Sequence, residues 1–136
     1  MSPPWVANRA EAWVQANTPP EGAVLVSITD PGREAAIPPG YLDVLRLAFH
    51  DCDPEAAVLG PEAAPMRPEQ AQRIWVFARK YRGRNIVVHC AAGISRSRGV
   101  VEAVLRTFPE YEDRGDESQK PNGHVLRSLL ASCQAT

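Results

Sequence analysis

The sequence predicts an α/β fold: a central, mainly parallel sheet flanked by helices. Three observations carry that expectation. Short apolar and β-branched runs at Ala23 to Ile28, Val44 to Phe49 and Ile86 to His89 read as strands, each followed by turn or loop residues. Apolar residues at helical spacing lie between and after these runs. The chain has 136 residues, enough for one core and too few for a separate regulatory module, so the alternation implies one domain with helical crossovers.

Taken in order, Trp5-Val6 adds a fourth strand, and Asn8 is suited to cap a following helix with Ala12, Trp13 and Ala16 on one face. The strand at Ala23 to Ile28 gives way to a segment, Asp30 to Gly40, with no periodicity. After the strand at Val44 to Phe49 comes a second such segment, Asp51 to Pro65, rich in Pro, Ala and acidic residues. A loop of that length in a compact domain is expected to be functional or mobile, and it starts where a strand ends. Pro68 suits the first turn of a helix in which Ala71, Ile74, Trp75, Ala78 and Tyr81 recur at helical spacing up to Gly83. Trp13, Trp75 and Tyr81 fit helix packing better than an aromatic binding platform. Beyond Cys90, residues Val100, Val101, Val104, Leu105 and Phe108 define another helix, stopped by Pro109. The last helix follows Asn122, with Val125, Leu126, Leu129 and Leu130 facing inward.

Composition narrows the function classes. The net charge of −1, with 23% charged residues, gives no electrostatic reason to expect nucleic acid or an anionic membrane as partner. The N-terminal run Met1-Ser2-Pro3-Pro4-Trp5 lacks a basic segment followed by an apolar one, and no apolar run approaches a bilayer span. Three cysteines, Cys52, Cys90 and Cys133, form an odd set without regular spacing, which argues against a secreted disulfide framework. A reducing, cytoplasmic setting is expected. Nothing in the sequence fixes an oligomeric state.

The chemistry is concentrated in His89-Cys90-Ala91-Ala92-Gly93-Ile94-Ser95-Arg96-Ser97, where a Cys and an Arg are separated by five residues between a strand and a helix. A strand that turns tightly into a helix N-terminus directs successive backbone N–H groups, here those of Ala91, Ala92, Gly93, Ile94, Ser95 and Arg96, into one concavity suited to a tetrahedral oxyanion. Gly93 permits the turn. The same donors and the positive end of the helix dipole favour a thiolate, so Cys90 is expected to be a nucleophile. Arg96 offers a planar fork to two phosphate oxygens, a geometry lysine cannot reproduce. Ser97 is placed to hydrogen-bond the Cys90 sulfur and assist its departure, and also to cap the helix. His89 is expected to orient the loop through its ring nitrogens.

The stretch from His89 to Ser97 resembles the signature of the cysteine-based protein tyrosine phosphatase superfamily, and its Ala92-Gly93-Ile94-Ser95-Arg96-Ser97 wording is closer to the dual-specificity branch. More weakly, Val24 to Asp30, Leu45 to Asp51, the Pro68 helix and Pro121-Asn122 fall where small bacterial or phage phosphatase-like proteins carry similar segments. The resemblance implies the tyrosine phosphatase-like fold, with four to five strands. It also implies two-step hydrolysis of a phosphomonoester, a phosphorylated protein or another, through a phosphocysteine, without metal or cofactor. Such hydrolysis needs a general acid for the leaving group. Asp51, at the carboxyl end of a predicted strand, matches the family's acid, and Asp53 in the same loop is its rival. Arg98, where relatives carry a small apolar residue, is expected to be solvated or to touch a substrate anion.

Other readings compete. His50, Cys52, His89 and Cys90 match no standard zinc-ligand spacing. Cys52 is a partner for an oxidised Cys90, or simply a small loop residue. A pseudophosphatase that binds phosphopeptides would not need the retained Cys90, Arg96 and acid. A rhodanese-like sulfurtransferase also uses a Cys before a helix, but the His-Cys and Arg-Ser flanks argue against it.

Overall fold

The computed structural model describes residues 2–56 and 58–133. Met1 of the expected N-terminal run, Ala57 of the expected long loop, and residues 134–136 lie outside them. The elements are β1 (Trp5–Ala10), α1 (Glu11–Ala16), β2 (Val24–Thr29), β3 (Val44–Ala48), α2 (Pro68–Lys80), β4 (Ile86–Cys90), α3 (Ser95–Thr107), β5 (Glu112–Asp113) and α4 (Gly123–Ser132). The five strands form one sheet in the order β3-β2-β4-β1-β5, and every pairing is parallel.

A parallel sheet needs both faces covered, and the sequence supplies two apolar sets by strand alternation. Val24, Val26 and Ile28 of β2 and Ile86, Val88 and Cys90 of β4 face the larger core beneath α2, α3 and α4, with Trp75 and Phe108 among its bulkiest members. Their rings meet edge to face, 5.8 Å between centroids. The Trp75 indole spends its N–H on Leu129 O at 2.7 Å, tying α2 to α4. Leu25 and Val87 point the other way, into a smaller cluster with Val14 of α1 and the partly buried Trp13, Ile37 and Tyr41. Every residue of β2 and β4 is buried, as expected for strands sandwiched by helices.

Three details differ from the sequence reading. Asn8 does not cap α1: β1 runs on to Ala10 because its register with β4 continues through Asn8↔Val88 to Ala10↔Cys90, and the cap position falls on Ala10. The shift also rotates the face of α1. Val14 is the buried residue, Trp13 is half-buried, and Ala12 and Ala16 are exposed. The two-residue β5, charged and without an apolar pattern, carries no periodic signal at all. The segments Asp30 to Gly40 and Asp51 to Pro65 contain no helix or strand among their described residues. No helix among those residues is long and apolar enough to cross a membrane.

Candidate active site

β4 is the central strand, and its last residue, Cys90, stands at the carboxyl edge of the sheet, where open parallel sheets gather their ligands. The chain then turns through residues 91–94 and enters α3 at Ser95. Gly93 makes the turn possible. It adopts φ +71°, and a Cβ built there would lie 2.3 Å from Ala10 N and from Arg9 C, so the loop presses directly on the β1–α1 backbone.

Three carbonyls of the loop are tied outward. Ala91 O accepts from Glu11 N at 3.2 Å, Gly93 O from the Asn8 side-chain amide at 2.7 Å, and Ser95 O from Asn122 N at 2.8 Å. In a planar trans peptide the N–H points opposite to the C=O, so the N–H groups of Ala92, Ile94 and Arg96 are aimed away from those anchors. No side chain caps α3, and its first helical bond is Arg98 N to Ile94 O, so the preceding amides of the first turn have no side-chain cap. The loop that follows Cys90 is thus pinned by its carbonyls to β1, α1 and the residue before α4.

Cys90 is 3% exposed, and its Sγ lies 3.1 Å from Ser97 Oγ. Ser97 is the third residue of α3, within its first turn, and is not the cap. Arg96 is buried at 5% exposure and donates through Nη1 to Asp30 Oδ1 and to Phe49 O, each at 2.8 Å. Asp30 follows β2 and Phe49 follows β3, so the guanidinium spans the carboxyl ends of the two strands on one side of β4. Its Nε, fully buried, has no hydrogen-bond partner among the described residues. With Nη1 taken by Asp30 and Phe49 O, a bidentate ligand would have to meet the Nε–Nη2 edge.

His89 is completely buried, with Nε2 2.6 Å from Ser27 Oγ and Nδ1 3.4 Å from Cys90 O. Burial pushes its pKa down, so the ring is neutral, one nitrogen donating and the other accepting. It ties β2 to β4 immediately before the loop.

Asp51 and Asp53 differ sharply. Asp51 is exposed and accepts from Asn122 Nδ2 at 2.8 Å. The same amide group reaches Cys52 O at 3.2 Å, and Asn122 Oδ1 caps α4 by accepting from Val125 N at 3.0 Å. Asn122 thereby fastens the Asp51 turn to the first turn of α3. Asp53 instead pairs with Arg127 at 2.7 Å. Although desolvation opposes it, hydrogen bonds from Glu55 N and Arg127 hold the Asp53 carboxyl below the usual carboxylate range. Burial pushes the Cys52 thiol up, the Asp51 and Asp53 charges add to that, and Arg96 opposes it. Among the described residues, no three His, Cys, Asp or Glu side chains are placed to hold a metal.

Arg98 corrects the sequence reading. It is 2% exposed and neither solvated nor directed at a ligand. Its guanidinium pairs with Glu102 and Asp113, each at 2.6 Å, and donates to Asn8 Oδ1 at 3.2 Å. Two acids, one a turn along α3 and one on β5, make burial at a helix N-terminus tolerable. Nothing in the sequence marks Asn8, Ser27, Asp30 or Asn122 as site residues; Asn8 and Asn122 carry only the signal of a helix cap. No family model matches this sequence, and no curated protein matches it.

Proposed function

We propose that this chain is a phosphomonoester hydrolase of the dual-specificity protein tyrosine phosphatase type, acting through a phosphocysteine on Cys90. The observation that carries the reading is the buried Arg96, anchored through Nη1 with its Nε unpaired among the described residues, in the first turn of the helix fed by Cys90. A buried cationic donor without a partner is costly unless a ligand supplies one, and a phosphate oxygen does.

In the first step the Cys90 thiolate attacks phosphorus. The P–O bond to the leaving group breaks, and Asp51 delivers the proton that group needs. Charge on the equatorial oxygens falls on the loop amides and on Arg96. In the second step water attacks the phosphocysteine, Asp51 takes its proton, and the Ser97 hydroxyl donates to the departing sulfur, releasing orthophosphate. Asp51 fits the acid role better than Asp53, because it makes no ion pair among the described residues and Asn122 holds it near α3. Asp53 is committed to Arg127. Asp30 acts on Arg96 as its counter-ion. The steps use only this chain's own residues, and a phosphorylated protein or another phosphomonoester is the proposed substrate. All three cysteines are free thiols, which suits a reducing, cytoplasmic compartment.

The test is p-nitrophenyl phosphate turnover in chelator. Turnover should persist in the parent chain, vanish in Cys90→Ser and fall steeply in Asp51→Asn, with Asp53→Asn near the parent. Undiminished Cys90→Ser activity removes the nucleophile, and a parent chain that binds orthophosphate without turnover becomes a phosphate-binding module.

A further inference from the structure

The geometry points to Asn8, oriented by Arg98, as the residue that positions the Cys90–Arg96 loop for anion binding, an inference that rests on the phosphatase reading. Asn8 lies on β1, far from the loop in sequence, and is buried at 3% exposure. Its two amide atoms have different duties. Oδ1 accepts from Arg98 Nη1 at 3.2 Å and from Asp116 N at 3.0 Å, while Nδ2 donates to Gly93 O at 2.7 Å. Two donors on one side fix which way the amide faces, so its only donor group must meet the loop.

The consequence reaches the site through peptide geometry. Holding the Gly93 carbonyl toward β1 turns the Ile94 N–H away from β1, toward the side of β4 where Arg96 stands. A flipped Gly93–Ile94 peptide would put a carbonyl oxygen where a donor is needed for the anion. Gly93 has φ +71° and resists such a flip less than other residues, so an external hold on its carbonyl has work to do.

This also accounts for Arg98. A buried arginine near a helix N-terminus opposes the dipole, and a buried ion network seldom adds stability over apolar residues of equal size. What the network of Arg98, Glu102 and Asp113 adds is a fixed donor facing Asn8. Gly115 is part of the same arrangement, because a Cβ there would lie 2.0 Å from Asn8 Oδ1.

Two variants test the assignment. Asn8→Asp keeps an acceptor for Arg98 and Asp116 N but loses the donor to Gly93 O. Gly115→Ala displaces the Asn8 amide without altering it or the loop. Two readouts are taken: kcat for p-nitrophenyl phosphate, and the iodoacetamide reaction of each cysteine at pH 7, followed by peptide mass spectrometry. Both variants should lose about a hundredfold in kcat, the effect of misplacing a site by roughly an ångström. Cys90 should react about tenfold more slowly as its thiolate loses donors, while Cys52 and Cys133 keep the parent rates. A merely structural role instead lowers the melting midpoint and makes all three cysteines react faster. If Asn8→Asp does not fold, Gly115→Ala decides alone. A folded Gly115→Ala protein whose Cys90 reacts at the parent rate or faster overturns the inference. Turnover by the parent chain tests the phosphatase reading separately. An inactive parent whose Cys90 still slows in both variants removes that reading and keeps Asn8 as the loop's anchor.

Discussion

Gly93→Ala isolates the contribution of loop geometry. The methyl group would be placed 2.3 Å from Ala10 N and Arg9 C, and 2.7 Å from Arg9 O. These are backbone atoms of β1 and its junction with α1, held by the β1–β4 register, so they cannot swing aside as a side chain would. Reaching an ordinary contact of about 3.4 Å therefore demands a displacement of about 1.1 Å, and it falls on the loop. A shift of that size costs about a hundredfold in rate when it separates a nucleophile from its substrate-binding donors. The positive φ adds a conformational cost of about 2 kcal/mol, which lowers the melting midpoint by about 6 °C in a chain of this size. Gly83→Ala is the control. Gly83 has φ +98° with nothing within 4 Å of a built Cβ, so it carries the conformational cost without the collision. Steady-state turnover of p-nitrophenyl phosphate and a thermal melt on both variants separate the two effects. Gly83→Ala should lose stability and keep kcat, and Gly93→Ala should lose both. A Gly93→Ala protein with parent kcat would refute the claim that this loop is the phosphate site.

Three further outcomes follow from the same geometry. Asn122→Ala removes the α4 cap, costing about 1 kcal/mol. It also frees the Asp51 turn, so kcat should fall while KM stays near the parent value; loss of stability alone would leave Asn122 a helix cap only. The neutral His89 predicts a pH window for stability. Its pKa lies below 6.5 in the fold, so the unfolded chain takes up a proton first as pH falls. Stability should be full above about pH 6.5 and decline below it by up to about 1.4 kcal/mol per pH unit, a slope that His89→Asn flattens in urea titrations. Gly99→Ala places a methyl 2.9 Å from Val125 Cγ1, where α3 and α4 meet, and should cost about 2 kcal/mol by overpacking without a matching loss of kcat per folded molecule.

The sequence made the architecture legible where periodicity was strong. The runs at β2, β3 and β4 stand within a residue or two of their expected places because strands covered on both faces read as unbroken apolar runs, and the helices opened by Pro68 and capped by Asn122 start where expected because their apolar residues recur on one buried side. The misses share a different cause. Asn8 has the chemistry of a helix cap, but the pairing of β1 with β4 kept its backbone extended and turned its amide to the loop. Arg98 reads as a solvated surface cation until Glu102 and Asp113 are brought to it across α3 and β5. Asp30 and Ser27 gain meaning only from partners 66 and 62 residues away, and no local pattern encodes such distances. The Cys90, Arg96 and Ser97 cluster was legible because strand, loop and helix adjoin in sequence, so spacing and geometry coincide.

The most direct measurement is acid-quenched peptide mass spectrometry of the chain during turnover of p-nitrophenyl phosphate, whose nitrophenolate departs without needing a proton, with Asp51→Asn included to slow the second step. The phosphocysteine mechanism predicts one phosphoryl group on the peptide containing Cys90, accumulating in Asp51→Asn and absent in Cys90→Ser. Steady turnover with that peptide unmodified, or with the phosphoryl group on another residue, would contradict it.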